Sequence, residues 1–304
     1  MTSPESLAAS PVSRLSHVAL RSPDVERMRT YYTEVIGLAA YDDGDGGVFL
    51  ASGGLGPALE LRRGSMAGID HVGFELTASR EEELLDRLRQ QGVIVTSGTD
   101  TEPGIARIHD LADVEGNRLQ LCVVDQDRAA AALAVTGIVP QKLGHIATRT
   151  TSAEAVTEFY EQALGFRWSD WMGDFFAFLR CNVDHHSVNF INASRPGQMH
   201  HFAFELEDVS HVSAACDALA ARKVQLLWGP GRHGVGHNVF TYHKDPDGNV
   251  VELFCDLDRM ASEELGYFEP RRWHTDRPQR PKHWIPDPDS ANLWGPQAPE
   301  DFMS

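Results

Sequence analysis

Basic residues and long apolar runs are both scarce in this sequence. Of its 304 residues, 27 are lysine or arginine and 44 are acidic, a formal net charge of −17. A chain without a basic excess lacks the field that attracts phosphate backbones, so we expect no nucleic acid partner. No stretch approaches the roughly 20 apolar residues that a membrane span needs, and residues 1–20 lack the pattern of a secretion signal. The composition indicates a cytoplasmic protein with no membrane partner.

Cysteine is also rare, and its spacing argues against a disulfide framework. The four cysteines include no Cys-x-x-Cys pair, and they are Cys122, Cys181, Cys216 and Cys255. Isolated cysteines in a chain of this length predict buried, reduced thiols. The length suffices for two domains of ordinary size, each with its own core.

Three segments of the chain recur at an almost constant offset. The pairs are His17 and His145, 128 residues apart; His71 and His201, 130 apart; and residues 113–121 and 245–253, 132 apart. Such a small drift indicates that one structural unit is present twice.

The two copies differ where a metal ligand is expected. At the end of the repeat the first copy has Gln120 and the second has Glu252. A carboxylate is a far better ligand for a hard dication than a neutral amide, so we predict that His145, His201 and Glu252 bind a metal. Two imidazoles and one carboxylate, with positions left open, are the ligand set of non-haem Fe(II) oxygenases. The first copy has two histidines and no matching anion, so we expect its site to be empty.

Each predicted ligand has an alternative. A single histidine in an apolar strand is more often a core residue, and this chain has 14 histidines. His200 could replace His201, although the shared pattern H-x-x-F-E-L at His71 favours His201. Glu252 lies between apolar residues, where a carboxylate is costly unless it is paired or bound to a metal. It could also belong to an exposed strand face.

Hydrophobic periodicity predicts the order strand, helix, strand, strand, strand twice in each half. The helices are expected over residues 24–36, 79–91, 151–164 and 208–222, with capping boxes at Ser79 and Glu82 and at Thr151 and Glu154. The predicted organisation is an N-terminal extension (1–12), a first module pair without metal (13–128), a linker with a short helix at 129–135 (129–142), a catalytic module pair (143–256) and a C-terminal strap (257–304).

The strap is rich in proline and tryptophan and cannot form a core alone. Its aromatic residues therefore need a surface to cover, and they are Tyr267, Phe268, Trp273, Trp284 and Trp294. We expect the strap to pack on the second module pair and to close over the metal site. A contact between subunits is the alternative.

The paired modules, the His-His-Glu set and the run DPDGNVVELF at 245–254 resemble one known family. They are similar to the type I extradiol ring-cleaving dioxygenases of the vicinal oxygen chelate superfamily, over roughly residues 13–256. The resemblance implies an α+β fold with two tandem domains. Each domain would be a pair of βαβββ modules forming a curved, partly open barrel of mixed sheet.

The resemblance also implies which residues take part in catalysis. The segment 184–190 matches the family's H-x-x-x-F strand and places the acid/base histidine at His186, with His185 as the alternative. His233 and Tyr242 match the residues that bind the substrate oxygens, and His237 competes with His233. Nearby aromatic and basic side chains extend this set, so the predicted substrate-binding residues are Phe190, His233, His237, Tyr242, Trp228 and Arg232.

A member of this family would cleave a substituted catechol beside its two hydroxyl groups, using Fe(II) and O2, to a semialdehyde or keto acid. Mn(II) fits the same ligands, and no organic cofactor is expected. Aromatic residues near the predicted site favour a hydrophobic catechol, whereas Arg232 and the arginines of the strap would suit a carboxylate. Family members often form homo-oligomers. An isomerase or lyase, or a protein that binds an aromatic compound without turnover, are the alternatives within the superfamily.

Overall fold

The computed structural model describes residues 10–42, 47–52, 56–102, 104–125, 136–194, 197–300 and 302. Two large mixed sheets with few helices make up these residues, one sheet in each half of the chain. The short helix predicted at 129–135 lies outside the described residues.

The first sheet contains eight strands in the order β2-β3-β4-β1-β5-β8-β7-β6. They are β1 (Val12–Ser22), β2 (Ala39–Asp42), β3 (Val48–Ala51), β4 (Pro57–Arg63), β5 (Gly68–Leu76), β6 (Thr96–Glu102), β7 (Ile105–Ala112) and β8 (Arg118–Val124). The helices of this half are α1 (Val25–Tyr31), which continues as a π-helical turn (Tyr32–Ile36), and α2 (Glu81–Gln90), which follows a 3₁₀ turn (Ala78–Arg80).

The second sheet contains nine strands in the order β14-β15-β16-β13-β9-β12-β11-β10-β19. They are β9 (Lys142–Thr150), β10 (Arg167–Met172), β11 (Phe176–Arg180), β12 (Val188–Asn192), β13 (Met199–Glu205), β14 (Leu226–Arg232), β15 (Val239–Lys244), β16 (Val250–Cys255) and β19 (Lys282–Trp284). Its helices are α3 (Ala153–Phe159), continued by a π-helical turn (Tyr160–Leu164), and α4 (Val209–Ala221).

The two sheets have the same plan. In the first sheet the central antiparallel pair is β1 and β5, and each has a parallel partner on its outer side, β4 and β8. In the second sheet the central pair is β9 and β13, with the parallel partners β12 and β16. The described strands leave both sheets open rather than closed into barrels. The predicted α+β fold of two tandem domains with partly open sheets is therefore confirmed.

Helix ends follow the sequence signals in part. Asp24, Ser152 and Asp208 cap α1, α3 and α4, each accepting a backbone N–H through its side chain. The capping box predicted at Ser79 is wrong, because α2 starts after Arg80 without a side-chain cap. The cap predicted at Thr151 lies one residue later, at Ser152.

The two halves share one hydrophobic core. Phe74 of β5 packs edge to face on Tyr160 and Phe166 of the second half, with ring centroids 6.1 and 5.4 Å apart. The Tyr32 hydroxyl donates to Asp245 Oδ2 across the same boundary, at 2.8 Å. This interface fixes the position of one sheet relative to the other.

The C-terminal segment lies against the second sheet. Its elements are β17 (Met260–Ser262), β18 (Tyr267–Phe268), β19 and the short helix α5 (Pro288–Ala291). Strand β19 pairs in parallel with β10, and Phe268 is fully buried. Trp273 and Trp294 remain about half exposed, and the Arg232 guanidinium lies 4.8 and 5.3 Å from their ring centroids.

The four cysteines are free thiols, as predicted, and three of them are buried. None of the described helices combines the length and the apolar character that crossing a bilayer requires.

Candidate metal centre and active site

Three neighbouring strands bring the predicted ligands together. In the register of the second sheet, Ala203 of β13 lies opposite His145 of β9 and opposite Glu252 of β16, while Ala147 of β9 pairs with His201. Residues in register, or two apart on one strand, point to the same face of a sheet. The fold therefore directs His145, His201 and Glu252 to one point.

The three side chains converge at metal-binding distances. His145 Nε2 lies 2.9 Å from Glu252 Oε2 and 3.3 Å from His201 Nε2, and His201 Nε2 lies 3.2 Å from Glu252 Oε2. Ligand atoms about 2.1 Å from a metal ion and at right angles to one another are about 3 Å apart. All three residues are buried. The arrangement fits a divalent transition metal held on one face.

Electrostatics favour the metal-binding protonation states of Glu252 and His201. Burial alone would raise the pKa of Glu252, but His145 and His201 bring it well below its usual range. Burial lowers the pKa of His201 against the opposing effect of Glu252. Glu252 is therefore anionic and His201 neutral near neutral pH, as metal coordination requires.

Outer hydrogen bonds orient two of the three predicted ligands, Glu252 and His201. Asn238 Nδ2 donates to Glu252 Oε1 at 2.8 Å, which leaves Oε2 facing the two histidines. His201 Nδ1 lies 2.7 Å from His200 Nδ1, and His200 Nε2 donates to the Phe302 carbonyl at 2.8 Å. His200 is thus a hydrogen-bond partner of His201 and is not itself part of the converging set. Sequence reasoning missed Asn238 and Phe302, because neither lies in a recurring segment.

His186 enters the site through a second histidine pair. Asp170 Oδ2 accepts from His185 Nε2 at 3.0 Å, so His185 Nδ1 is the acceptor for His186 Nδ1, also at 3.0 Å. This order leaves His186 Nε2 as the available nitrogen. The His186 ring centroid lies 4.4 Å from that of His145. Burial, and then the neighbouring His145, lower the pKa of His186 well below its usual range.

His233 and Tyr242 form a linked pair on the other side of the ligands. His233 Nδ1 donates to the Ala291 carbonyl at 2.6 Å, and His233 Nε2 lies 3.0 Å from the Tyr242 hydroxyl. Tyr242 is opposite Glu252 in the β15–β16 register, and its hydroxyl donates to Glu252 Oε2 at 2.9 Å. Burial lowers the pKa of His233 to about 4.

A cavity of about 170 Å³ opens beside the ligands. The predicted ligands, His186, His233 and Tyr242 all line it. Its walls are largely apolar and include Met172, Phe176, Phe178, Ile191, Trp228 and Phe302. No lysine or arginine is present among the described residues that line it. The C-terminal segment completes the enclosure through Ser290, Ala291, Ala298 and Phe302.

A family model for the Glyoxalase/Bleomycin resistance protein/Dioxygenase superfamily matches residues 14–121 and again residues 142–253. The chain belongs to this superfamily. The two matched stretches correspond to the two sheets, so the superfamily unit occurs once in each half.

Known proteins similar to this superfamily member include two extradiol enzymes. Metapyrocatechase 2 of Cupriavidus necator is 32% identical over 171 residues, which are 56% of this chain but only 49% of that enzyme. The iron-dependent extradiol dioxygenase of Rhodococcus jostii is 26% identical over 277 residues, 83% of this chain and 92% of the relative. Among solved structures, the Mn(II)-bound glyoxalase of Novosphingobium aromaticivorans has a TM-score of 0.81 at 23% identity and covers 97% of this chain and 94% of its own.

Three of the predicted substrate-binding residues do not line the cavity, which corrects the sequence interpretation. Phe190 points to the opposite face of β12 from Asn189 and packs on Tyr160, with ring centroids 4.8 Å apart. His237 Nδ1 donates to Asp258 Oδ2 at 2.6 Å. Arg232 donates to the His237 carbonyl at 2.6 Å. Strand alternation and these pairings turn all three away.

The first half of the chain also departs from expectation. His17 and His71 lie together as the repeat predicts, but Glu60 joins them, with Oε2 3.6 Å from His71 Nε2. The prediction that no carboxylate accompanies these histidines is therefore wrong. The reason is that the anion comes from β4, whereas the repeat comparison considered only Gln120 on β8.

Proposed function

We propose that this protein cleaves the ring of a hydrophobic catechol beside its two hydroxyl groups, using a divalent metal ion, with Fe(II) preferred, and O2. One observation carries the proposal. The facial set His145, His201 and Glu252 opens into an apolar cavity that His186 lines on one side and the His233–Tyr242 pair on the other. Such a site offers a metal, a place for a flat ring and groups that exchange protons.

The metal would supply a Lewis acid that binds both catechol oxygens and leaves a position for O2. Two neutral imidazoles and one carboxylate leave a dication with a net charge near +1, which suits a catechol that has lost one proton. The Rhodococcus relative is named iron-dependent, which supports Fe(II). Mn(II) suits the same donors, and the similar glyoxalase structure is named for it.

Tyr242 and His233 are the groups we assign to the catechol oxygens. Burial, followed by Glu252, raises the pKa of Tyr242 well above its usual value, so it stays a hydrogen-bond donor. His233 donates to a backbone carbonyl through Nδ1, which leaves Nε2 as an acceptor for a hydroxyl proton. Together they hold the ring and take up its charge.

His186 is the group we assign to the O2 side. The Asp170–His185 pair fixes the proton on His186 Nδ1, so its Nε2 can accept a proton and return it during the reaction. Both atoms of O2 enter the product, a ring-opened semialdehyde or keto acid, so no external reductant is required.

The cavity supports an uncharged ring substituent. No arginine is among the described residues that line the cavity, and Arg232 and Arg271 pair with Asp256 instead. Asn189 lies in register with Ala147 on the same sheet face as the ligands, and it is neutral. It therefore adds no second carboxylate of the kind expected in a metal-dependent isomerase of this superfamily.

The test is anaerobic loading with Fe(II) or Mn(II), followed by catechols in air. We expect 3-methylcatechol and 2,3-dihydroxybiphenyl to give a yellow product with one O2 consumed per ring. Under the same conditions 3,4-dihydroxyphenylacetate, which carries a carboxylate, should react at least about tenfold more slowly. Binding of the metal without oxygen uptake on any catechol would overturn ring cleavage and favour an isomerase, a lyase or a binding protein.

We further infer a homo-oligomer, because Trp273 and Trp294 leave apolar surface about half exposed beside the described sheets. Analytical ultracentrifugation at micromolar concentration tests this. A single species of 33.6 kDa, the mass of one chain, would contradict it.

A further inference from the structure

The first sheet holds a histidine pair with nearly the geometry of the one in the active site. His17 and His71 have ring centroids 5.2 Å apart at an interplanar angle of 89°, against 5.4 Å and 83° for His145 and His201. Their Nε2 atoms are 3.1 Å apart, against 3.3 Å in the second half. Two imidazoles aimed at one point are therefore present in both halves.

The third member of each cluster is a buried carboxylate. Glu60 lies on β4, beside β1, whereas Glu252 lies on β16, beside β13. In the first sheet Ala19 is in register with both His71 and Glu60, and Gly73 with Gln120. In the second sheet the position of Glu60 is taken by Asn189. Each domain consists of two similar modules, β1–β4 and β5–β8 in the first half and β9–β12 and β13–β16 in the second. Superposing one module of a domain on the other therefore places β4 on β8, and β12 on β16. Glu60 and Glu252 thus occupy equivalent positions in alternate modules.

The two carboxylates also divide their oxygens in the same way. Glu60 Oε1 accepts from Arg62 and Glu252 Oε1 from Asn238, while each Oε2 faces the histidines. A donor on one oxygen fixes the orientation of the carboxylate, so that its other oxygen lies on the side of the histidines.

Outer partners fix both imidazoles of the first cluster. His71 Nδ1 donates to Asp70 Oδ2 at 3.1 Å, and His17 Nδ1 lies 3.2 Å from Ser16 Oγ. The bond to the Asp70 carboxylate keeps the proton of His71 on Nδ1, and Ser16 Oγ is able to accept a proton from His17 Nδ1. In that state both Nε2 lone pairs face the shared point. Asp70 and His71 also border a cavity of about 170 Å³ between the halves.

We propose that His17, Glu60 and His71 bind a second divalent metal ion, of the first transition series, that stabilises the N-terminal half. Two imidazole nitrogens select such ions over Ca²⁺ and Mg²⁺, which prefer oxygen ligands. Arg62 places a positive charge beside Glu60, so the second ion binds at least about tenfold more weakly than the one at Glu252. The inference is independent of the reaction at the other site.

The experiment is equilibrium dialysis of the chelator-treated full chain against Co(II), with visible absorption recorded as a check on coordination. We expect two ions per wild-type chain, one in Glu60→Gln, one in Glu252→Gln and none in the double variant. One ion per wild-type chain, together with an unchanged count in Glu60→Gln, would overturn the proposal. It would mean that Glu60 is held by Arg62 alone.

A gain of affinity guards against loss of metal through misfolding. Gln120→Glu restores the carboxylate that the second half has, so the second ion should bind at least about tenfold more tightly and raise the melting temperature further. Gln90→Glu adds the same charge on the exposed face of α2 and is the matched control. Equal affinity in Gln120→Glu and Gln90→Glu would contradict a metal at this point.

Discussion

At the residue scale, the site depends on which nitrogen of each histidine carries its proton. Three of the rings that line the cavity are held by a partner on their other side: His201 by His200, His186 by His185 and His233 by the Ala291 carbonyl. A side chain that never reaches the substrate can therefore set the state of one that does.

Asp170→Asn tests this relay. Asp170 Oδ1 accepts the Lys282 N–H at 2.8 Å and Oδ2 accepts from His185. An asparagine that keeps the first bond presents its N–H₂ group to His185 Nε2, which must then accept. His185 Nδ1 would donate to His186 Nδ1, and the proton of His186 would move to Nε2. We expect kcat to fall about 10²-fold with metal content unchanged. Asp217→Asn, on the exposed face of α4, should have wild-type kinetics; equal kcat in the two variants would exclude the relay.

At the scale of elements, the two halves are joined where α1 meets the turn before β16. The Tyr32 hydroxyl is buried and donates to the Asp245 carboxylate, which itself holds the turn by accepting from Asn249. Burial, and then Asp245, raise the pKa of Tyr32 well above its usual value, so it remains a donor.

Tyr32→Phe should lower the free energy of unfolding by about 1.5–3 kcal/mol, the range for a hydrogen bond to a charged group. Urea denaturation measures it. Tyr31→Phe is a control at the adjacent position, because within the described residues the buried Tyr31 hydroxyl has no hydrogen-bond partner. A loss as large in Tyr31→Phe as in Tyr32→Phe would show that the Asp245 contact contributes nothing.

The C-terminal segment acts on the site in two separable ways. The Phe302 ring packs on Tyr242 and Trp228, with centroids 4.9 and 5.1 Å apart, and the Phe302 carbonyl accepts from His200. The ring closes the cavity, whereas the carbonyl orients a ligand through His200.

Phe302→Ala removes the ring and keeps the carbonyl, so we expect KM to rise about tenfold with metal affinity unchanged. Deleting residues 300–304 removes both, and should weaken metal binding as well as raise KM. Steady-state kinetics and metal dialysis on the two variants separate the effects. Wild-type KM in both would mean that this segment does not close the cavity.

At the scale of the whole molecule, duplication explains what the sequence could predict. The offsets of 128 to 132 residues required two copies of one fold, and strand alternation placed His145, His201 and Glu252 on one face, where the structure has them. The family resemblance seen in the motifs is confirmed by the superfamily match.

The remaining features depend on contacts between distant segments. Glu60 was missed because comparing the two halves aligns β4 with β12, which carries no carboxylate at this position. The similarity between Glu60 and Glu252 appears only when β4 is compared with β8 or β16, the last strand of the other module. Asn238 and Phe302 reach the site only through the fold, 14 and 102 residues from their partners Glu252 and His200. Phe190 was misplaced because a list of aromatic residues ignores which face of a strand each one occupies.

The most direct test of the central claim is anomalous diffraction at the iron edge from crystals loaded anaerobically with Fe(II). We expect a peak within about 2.3 Å of His145 Nε2, His201 Nε2 and Glu252 Oε2, on the side facing the apolar cavity. A fully loaded crystal without a peak among these three atoms would contradict the account.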